Sequence, residues 1–168
     1  MTAIFPGSFD PVTLGHIDLI KRGIHLFDRV IVAVLHNAVK SPMFTAEERV
    51  DLLREATAEF PGVDIVAYSG LLANLAGDIS VKFILRGVRS EADCAYELPM
   101  AQANRRIGHD LETVMLTADP AHSYVSSGMI REIATAGYGN PLFDDKVLDQ
   151  WVPPAVKNAL RSKLTEIS

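Results

Sequence analysis

Several side chains suited to anion chemistry stand in small groups along this sequence. His16 closes the stretch FPGSFDPVTLGH (Phe5–His16), Lys40 lies in HNAVKSP, Arg86 and Arg89 flank Gly87 and Val88 in LRGVR, and Ser126 and Ser127 open VSSGMIRE. Cations and hydroxyls dominate these groups and carboxylates are scarce. Guanidinium forks bind phosphate oxygens in pairs, and the free N–H groups of a helix start bind them as well. Taken singly, each residue has an ordinary use: a histidine at a helix start, a solvated loop lysine, serines that cap a helix. Nucleophilic hydrolysis has little support, because no Ser–His–Asp set and no paired carboxylates accompany His16. Cys94 stands alone, which excludes a disulfide within the chain and a cysteine-rich metal site.

The elements that must carry these residues follow from the changing period of the pattern. Thr2–Phe5 reads as a first strand. Ile17, Ile20, Ile24 and Phe27 then mark the apolar stripe of a helix starting near Leu14. Arg29–Leu35 is a β-branched run, as in a strand covered on both faces. Thr45 and Glu48 form a capping box that opens a helix to about Phe60. Val63–Tyr68 reads as the third strand, Leu71–Ala76 as a short helix, and VKFILRG as the fourth strand, running out at Arg86. A helix over Ala92–Ile107, a strand over Thr113–Thr117 and a helix over Ser127–Thr135 complete the alternation. This predicts an α/β fold of one domain over residues 1–168: a Rossmann-like, doubly wound, five-stranded parallel sheet with flanking helices.

In such a sheet ligands bind at the carboxyl ends of the strands, where the strand order reverses. Ser8, Phe9 and His16 follow the first strand, and His36 and Lys40 the second. Arg86, Gly87 and Arg89 follow the fourth, and Ser123, Tyr124, Ser126, Ser127 and Gly128 the fifth. Glu97 lies one helical stretch beyond Arg89. The alternation therefore gathers the anion-binding residues on a single edge.

Composition agrees with an ordinary globular chain. Hydrophobic residues make up 48% and charged residues 22%. A net charge of −5 argues against broad binding to nucleic acid or to an anionic membrane. The start MTAIFPGSFD lacks the basic and apolar regions of a secretory signal. The apolar run VIVAVL is strand-length, too short to span a bilayer. A soluble cytoplasmic protein is expected.

The motifs then meet a known family. TLGH (Thr13–His16) resembles the T/HxGH motif of the nucleotidyltransferase α/β superfamily, and VSSGMIRE resembles its second phosphate motif, ISSTxIR. More narrowly, FPGSFDPVTLGHIDLI, FDRVIVAV, KSPMFTAEERV, ILRGVRSEADCAYE and SYVSSG together resemble the bacterial phosphopantetheine adenylyltransferases, in register from Ala3 to about Arg131. The resemblance implies transfer of the adenylyl group of ATP to 4′-phosphopantetheine, giving dephospho-coenzyme A and pyrophosphate. It implies His16, Lys40 and Arg86 as the catalytic set, with His16 donating to the α-phosphate. Ser8 and Phe9 would surround the ATP phosphates, Ser8 also touching the acceptor. Lys40 and Arg86 would hold the acceptor phosphate, and Leu72 would line the pantetheine channel. Gly87, Val88, Arg89 and Glu97 would shape the nucleotide site, and His122, Ser123, Tyr124, Val125, Ser126, Ser127 and Gly128 would close around adenine and triphosphate. Magnesium would be bound mainly through ATP phosphates, with no dedicated protein ligands. A homohexamer is implied as the assembly.

The sequence departs from the family at Gly128, where a third hydroxyl is usual, and at His122, which is often aromatic. Pro99, inside the predicted helix after Glu97, is expected to kink it. Two alternatives stand beside the main reading. One is another small-molecule nucleotidyltransferase, acting on nicotinate mononucleotide or using CTP. The other is a nucleotide-binding module without turnover, for which Gly128 is the sole support. Residues 136–168 are less family-like. Thr135–Trp151 reads as a loop, Trp151 as a packing anchor, and Pro154 as the first turn of a closing helix. Cys94 reads as a small buried or subunit-facing residue, and His25 and His109 as surface residues.

Overall fold

The computed structural model describes residues 1–35, 41–108 and 110–165. Five strands and six helices alternate: β1 (Thr2–Gly7), α1 (Leu14–Leu26), β2 (Arg29–Leu35), α2 (Ala46–Ala56), β3 (Val63–Tyr68), α3 (Leu72–Asp78), β4 (Phe83–Val88), α4 (Glu91–Ile107), β5 (Glu112–Thr117), α5 (Ser127–Gly137) and α6 (Pro154–Thr165), with a 3₁₀ turn over Asp145–Gln150. The strands form one parallel sheet in the order β3-β2-β1-β4-β5. The expected five-stranded, doubly wound architecture is the one observed.

Strand periodicity divides the core. Ala3 and Phe5 of β1, Val30, Val32 and Val34 of β2, and Leu85 of β4 face a layer built from α1, α2, α5 and α6, where Ile20, Leu53, Ile130, Val156 and Leu160 are buried. The alternate residues Ile4, Ile31, Ala33 and Ile84 face α3, through Ala73, Leu75 and Ala76. Each fully buried Val, Leu, Ile or Phe side chain among them contributes about 1.5–3 kcal/mol. Both faces are covered, so the strands read as continuous apolar runs.

The chain turns back on itself beside β1, and this positions the site. β1 pairs with β2 from Thr2 to Gly7, but with β4 only at Ala3 and Ile4. Beyond those pairs β1 and β4 part, and Pro6, which has no N–H to offer a ladder, sits where they diverge. The crevice at the reversal of strand order opens there.

Three local expectations are corrected. β1 runs on to Gly7 rather than ending at Phe5, and β4 runs on to Val88, so Arg86 and Gly87 lie within the strand rather than after it. α4 spans Glu91–Ile107 with Pro99 inside it; Pro99 and Ala95, whose carbonyl loses its helical partner, are both exposed. The segment read as a loop over Thr135–Trp151 is helical in part, with turns between Tyr138 and Asp144. α5 extends to Gly137, Tyr138 packs edge-to-face on Phe143 at 5.4 Å, and the 3₁₀ turn buries Leu148 completely. α6 does begin at Pro154. Among the described residues no helix is long and apolar enough to cross a membrane.

Candidate active site

The β1–α1 turn holds His16 by a capping box in which histidine takes the place usually filled by glutamate. Thr13, extended at φ −120 and ψ 165, is the N-cap, and its Oγ1 accepts from the His16 N–H at 3.4 Å. In return the Thr13 N–H donates to His16 Nδ1 at 3.0 Å. A backbone donor on Nδ1 fixes the tautomer: the neutral ring carries its proton on Nε2. Burial, then the charges of Arg89 and Arg86, lower the His16 pKa to about 4. His16 is thus an uncharged donor at neutral pH.

Aromatic packing sets the ring's plane. Phe9 meets His16 edge-on at 5.0 Å and Phe5 at 5.4 Å. Phe9 adopts a positive φ of 47, which a non-glycine residue holds only under constraint. Gly7 makes room for it, since a Cβ there would come within 2.9 Å of the Phe9 ring. Gly15 likewise admits the β5–α5 loop, whose His122 Cβ would lie 3.3 Å from a Cβ at that position.

From β4, Arg86 reaches across the gap beside Pro6. Its Nη1 donates to the Pro6 carbonyl at 2.6 Å and its Nε to Glu97 Oε2 at 2.7 Å, with a second contact from Nη2 to Oε1. Glu97 is the one buried residue of α4, and this pair explains why. Arg89 donates from Nε to Asp93 at 2.9 Å and from Nη1 to the Val125 carbonyl at 3.2 Å, joining the β4 end to the β5–α5 loop. Val88 is buried and Gly87 half-buried between them.

In the β5–α5 loop, Ser126 caps α5 by accepting from Met129 N at 3.1 Å. Ser127 Oγ donates to the Pro11 carbonyl at 2.7 Å, drawing the start of α5 against the β1–α1 turn. Gly128 lies exposed in the first turn, where α-helical N–H groups lack intrahelical partners. His122 Nδ1 is buried without a hydrogen-bond partner among the described residues, and Ser123 Oγ donates to the Pro120 carbonyl at 3.0 Å. Exposed Tyr124 accepts from Trp151 Nε1 at 3.0 Å. Trp151 is half-buried, and its carbonyl accepts from Leu14 N at 2.8 Å. It is therefore a packing anchor that also ties the C-terminal segment to the site.

An open hollow of about 760 Å³ lies beside α5, bounded by Ser41, Met43, Gly128, Arg131 and Lys163 among others. A second groove of about 450 Å³, between α2 and α6, is not lined by any of the expected site residues. Leu72, the first residue of α3, is half-buried against the smaller core layer. Lys40, with His36, lies outside the described residues.

Sequence reasoning missed four participants. Thr13 had a legible signal, a threonine three residues before the side chain it caps. Asp10 had none: its buried carboxylate accepts from Met43 N at 3.0 Å and Phe44 N at 2.9 Å, partners far along the chain. Arg131 bonds the Asp10 carbonyl and lies 3.4 Å from its carboxylate. Arg49, buried within α2, reaches the Ser8 carbonyl.

A cytidylyltransferase-like family model matches residues 4–133. The chain is 45% identical over 169 residues to the phosphopantetheine adenylyltransferase of Deinococcus radiodurans, covering 99% of this chain and 96% of that one. It is 42% identical over 167 residues to the enzyme of that name from Psychromonas ingrahamii, covering 99% of each. This chain belongs to the phosphopantetheine adenylyltransferase family. A third phosphopantetheine adenylyltransferase, from Caldanaerobacter subterraneus subsp. tengcongensis, is 42% identical over 161 residues and 96% of both chains. The match to the phosphopantetheine adenylyltransferases thus runs through the C-terminal segment as well. As a member of that family the chain is a nucleotidyltransferase. The fold is also shared with the lipopolysaccharide core biosynthesis protein from Thermoplasma volcanium GSS1, at a TM-score of 0.54 and 22% identity, over 71% of this chain and 98% of that one.

Proposed function

We propose that this nucleotidyltransferase joins the adenylyl group of ATP to 4′-phosphopantetheine, forming 3′-dephospho-coenzyme A and pyrophosphate. The observation that carries the reaction is His16, neutral and protonated on Nε2, at the reversal point of the sheet beside the start of α5. An oxygen of the acceptor phosphate attacks the α-phosphorus, a new P–O bond forms, the α–β bridging bond breaks, and pyrophosphate leaves with that electron pair. The attacking phosphate is already anionic, so no general base is required. Catalysis then rests on alignment and on donors aimed at the charge developing on the α-phosphate. His16 Nε2–H supplies one such donor, and the free N–H groups at the start of α5 supply others to the triphosphate. Arg86, held by Glu97 and Pro6, together with Lys40, would receive the acceptor phosphate, with Leu72 along the pantetheine arm.

Among the described residues no cluster of histidine, cysteine and carboxylate side chains is arranged for a metal, and the Asp10 carboxylate is occupied by two amides. Magnesium would arrive on the triphosphate and retain water ligands. Bound in that way, the ion would neutralise phosphate charge. The proposed assembly is a homohexamer, supported by the exposed apolar residues of α4.

Pyrophosphate release from ATP and magnesium, assayed in parallel with 4′-phosphopantetheine, nicotinate mononucleotide and glycerol 3-phosphate, tests the reading; CTP is included with the last. Release with phosphopantetheine alone is expected. Release with another acceptor would replace the substrate assignment, and silence with all of them despite ATP binding would leave a binding module.

A further inference from the structure

Arg49 is nearly inaccessible, at 2% exposure, although it carries a full charge and the reaction above assigns it no part. It projects from α2 under the β1–α1 turn. Its Nη1 donates to the Ser8 carbonyl at 2.6 Å and lies 3.4 Å from the Leu35 carbonyl, and its Nε donates to the Thr45 carbonyl at 3.2 Å. Burying a guanidinium is costly, and neutral carbonyls offset that cost less completely than a carboxylate does. The arrangement is one of orientation: a rigid planar fork grips the ends of β1 and β2 and the start of α2.

The grip on Ser8 has a consequence for the peptide that follows. The Ser8–Phe9 bond is trans, so its C=O and N–H point in opposite directions. With the carbonyl drawn inward to Arg49, the Phe9 N–H is turned away from it, and that N–H has no hydrogen-bond partner among the described residues. The same peptide leads into the positive φ of Phe9, whose ring packs against His16. Buried backbone donors are ordinarily paired, so a peptide locked with its N–H free beside His16 is a preformed donor for an anion.

We propose that Arg49 is a positioning residue: it sets the Ser8–Phe9 peptide, which the adenylyl-transfer reading already places around the ATP phosphates, so that the Phe9 N–H is held free to meet a phosphate oxygen. The inference rests on the adenylyl-transfer reading but is tested first without turnover. The ¹⁵N-labelled full chain is titrated with inorganic pyrophosphate, and the Phe9 amide proton moves downfield as a charge-assisted bond forms. Arg49→Met abolishes that movement while the remaining amide spectrum stays folded, and it lowers kcat by about 10², the loss typical of one preorganised donor, with KM for phosphopantetheine unchanged. Arg49→Lys keeps the charge without the fork and falls between, losing about tenfold, the equivalent of a single ordinary hydrogen bond. A Phe9 amide indifferent to pyrophosphate in the unmodified chain overturns the inference, as does Arg49→Met with an unaltered Phe9 response or kcat. If Arg49→Met fails to fold, Arg49→Lys decides, and unaltered values in it overturn the inference. A silent pyrophosphate-release assay with an intact, Arg49-dependent Phe9 response would instead sink the adenylyl-transfer reading and leave the positioning of Phe9 standing.

Discussion

His16 works as an uncharged group, and two features make it so. The Thr13 N–H occupies Nδ1, and burial with two nearby guanidinium groups opposes protonation. A ¹⁵N titration of the imidazole in the free protein is expected to give a midpoint of about 4, well below the 6.5 of a free imidazole. Between those values the unfolded chain takes up a proton that the folded chain resists. Stability therefore rises with pH across that window, and what His16 contributes above pH 6.5 is lost as pH falls toward 4. His16→Ala is expected to lower kcat by about 10² to 10³ while leaving ATP affinity in place, measured by single-turnover kinetics and equilibrium binding. Nearly unchanged turnover would remove His16 from the chemistry. Arg86 teaches a different lesson. It was expected just past the fourth strand, but β4 runs on to Val88 and holds it within the strand, and its side chain is engaged by Glu97 and Pro6, partners a linear reading does not reveal.

α5 presents the clearest element-level question, because its first turn carries Gly128 where a hydroxyl would be usual. A Cβ at Gly128 would meet nothing nearer than Ser126 Oγ at 3.8 Å. Gly128→Ser should therefore be accommodated without strain, improve helix propensity and add a donor beside the free amides. One net hydrogen bond of about 0.5–1.5 kcal/mol corresponds to a KM for ATP lowered about two- to tenfold, read from initial rates at saturating acceptor. An unchanged or raised KM would mean that this turn does not meet the triphosphate. α4 shows why local rules bend: Pro99 costs one bond on a side open to water, and the helix passes through it. The capping box of α2, by contrast, forms as its spacing predicts, with Thr45 and Glu48 exchanging bonds of 2.6 and 3.2 Å.

Across the molecule, the two faces of the sheet are unequally served. The layer formed by α1, α2, α5 and α6 carries the larger core, whereas α4 buries a single residue over its whole length. Tyr96, Leu98, Met100 and Ile107 remain exposed on it, Tyr96 at 67%. The proposed homohexamer would cover these residues. Sedimentation equilibrium is expected to give a multiple of the 18.3 kDa chain mass, and Tyr96→Asp to shift the protein toward the single chain by placing an unpaired charge in the contact. A monomer in the unmodified protein would overturn both the contact and the hexamer.

Periodicity and punctuation alone decided the alternation of strands and helices, the parallel sheet and the edge on which His16, Arg86, Arg89 and Ser126–Gly128 gather, because these depend on neighbours a few residues apart. What the tertiary structure decided is who holds whom. The order β3-β2-β1-β4-β5 brings Arg86 to Glu97, Ser127 to Pro11, Arg131 to Asp10 and Arg49 to Ser8. The closing segment shows the same division: Leu148 looks like any loop leucine until α5 and α6 enclose it, and Trp151 reaches Tyr124 and Leu14 only after the chain has folded. Hydrogen bonds between residues far apart in sequence form only when the core's packing has already set their separation, so no local pattern encodes them.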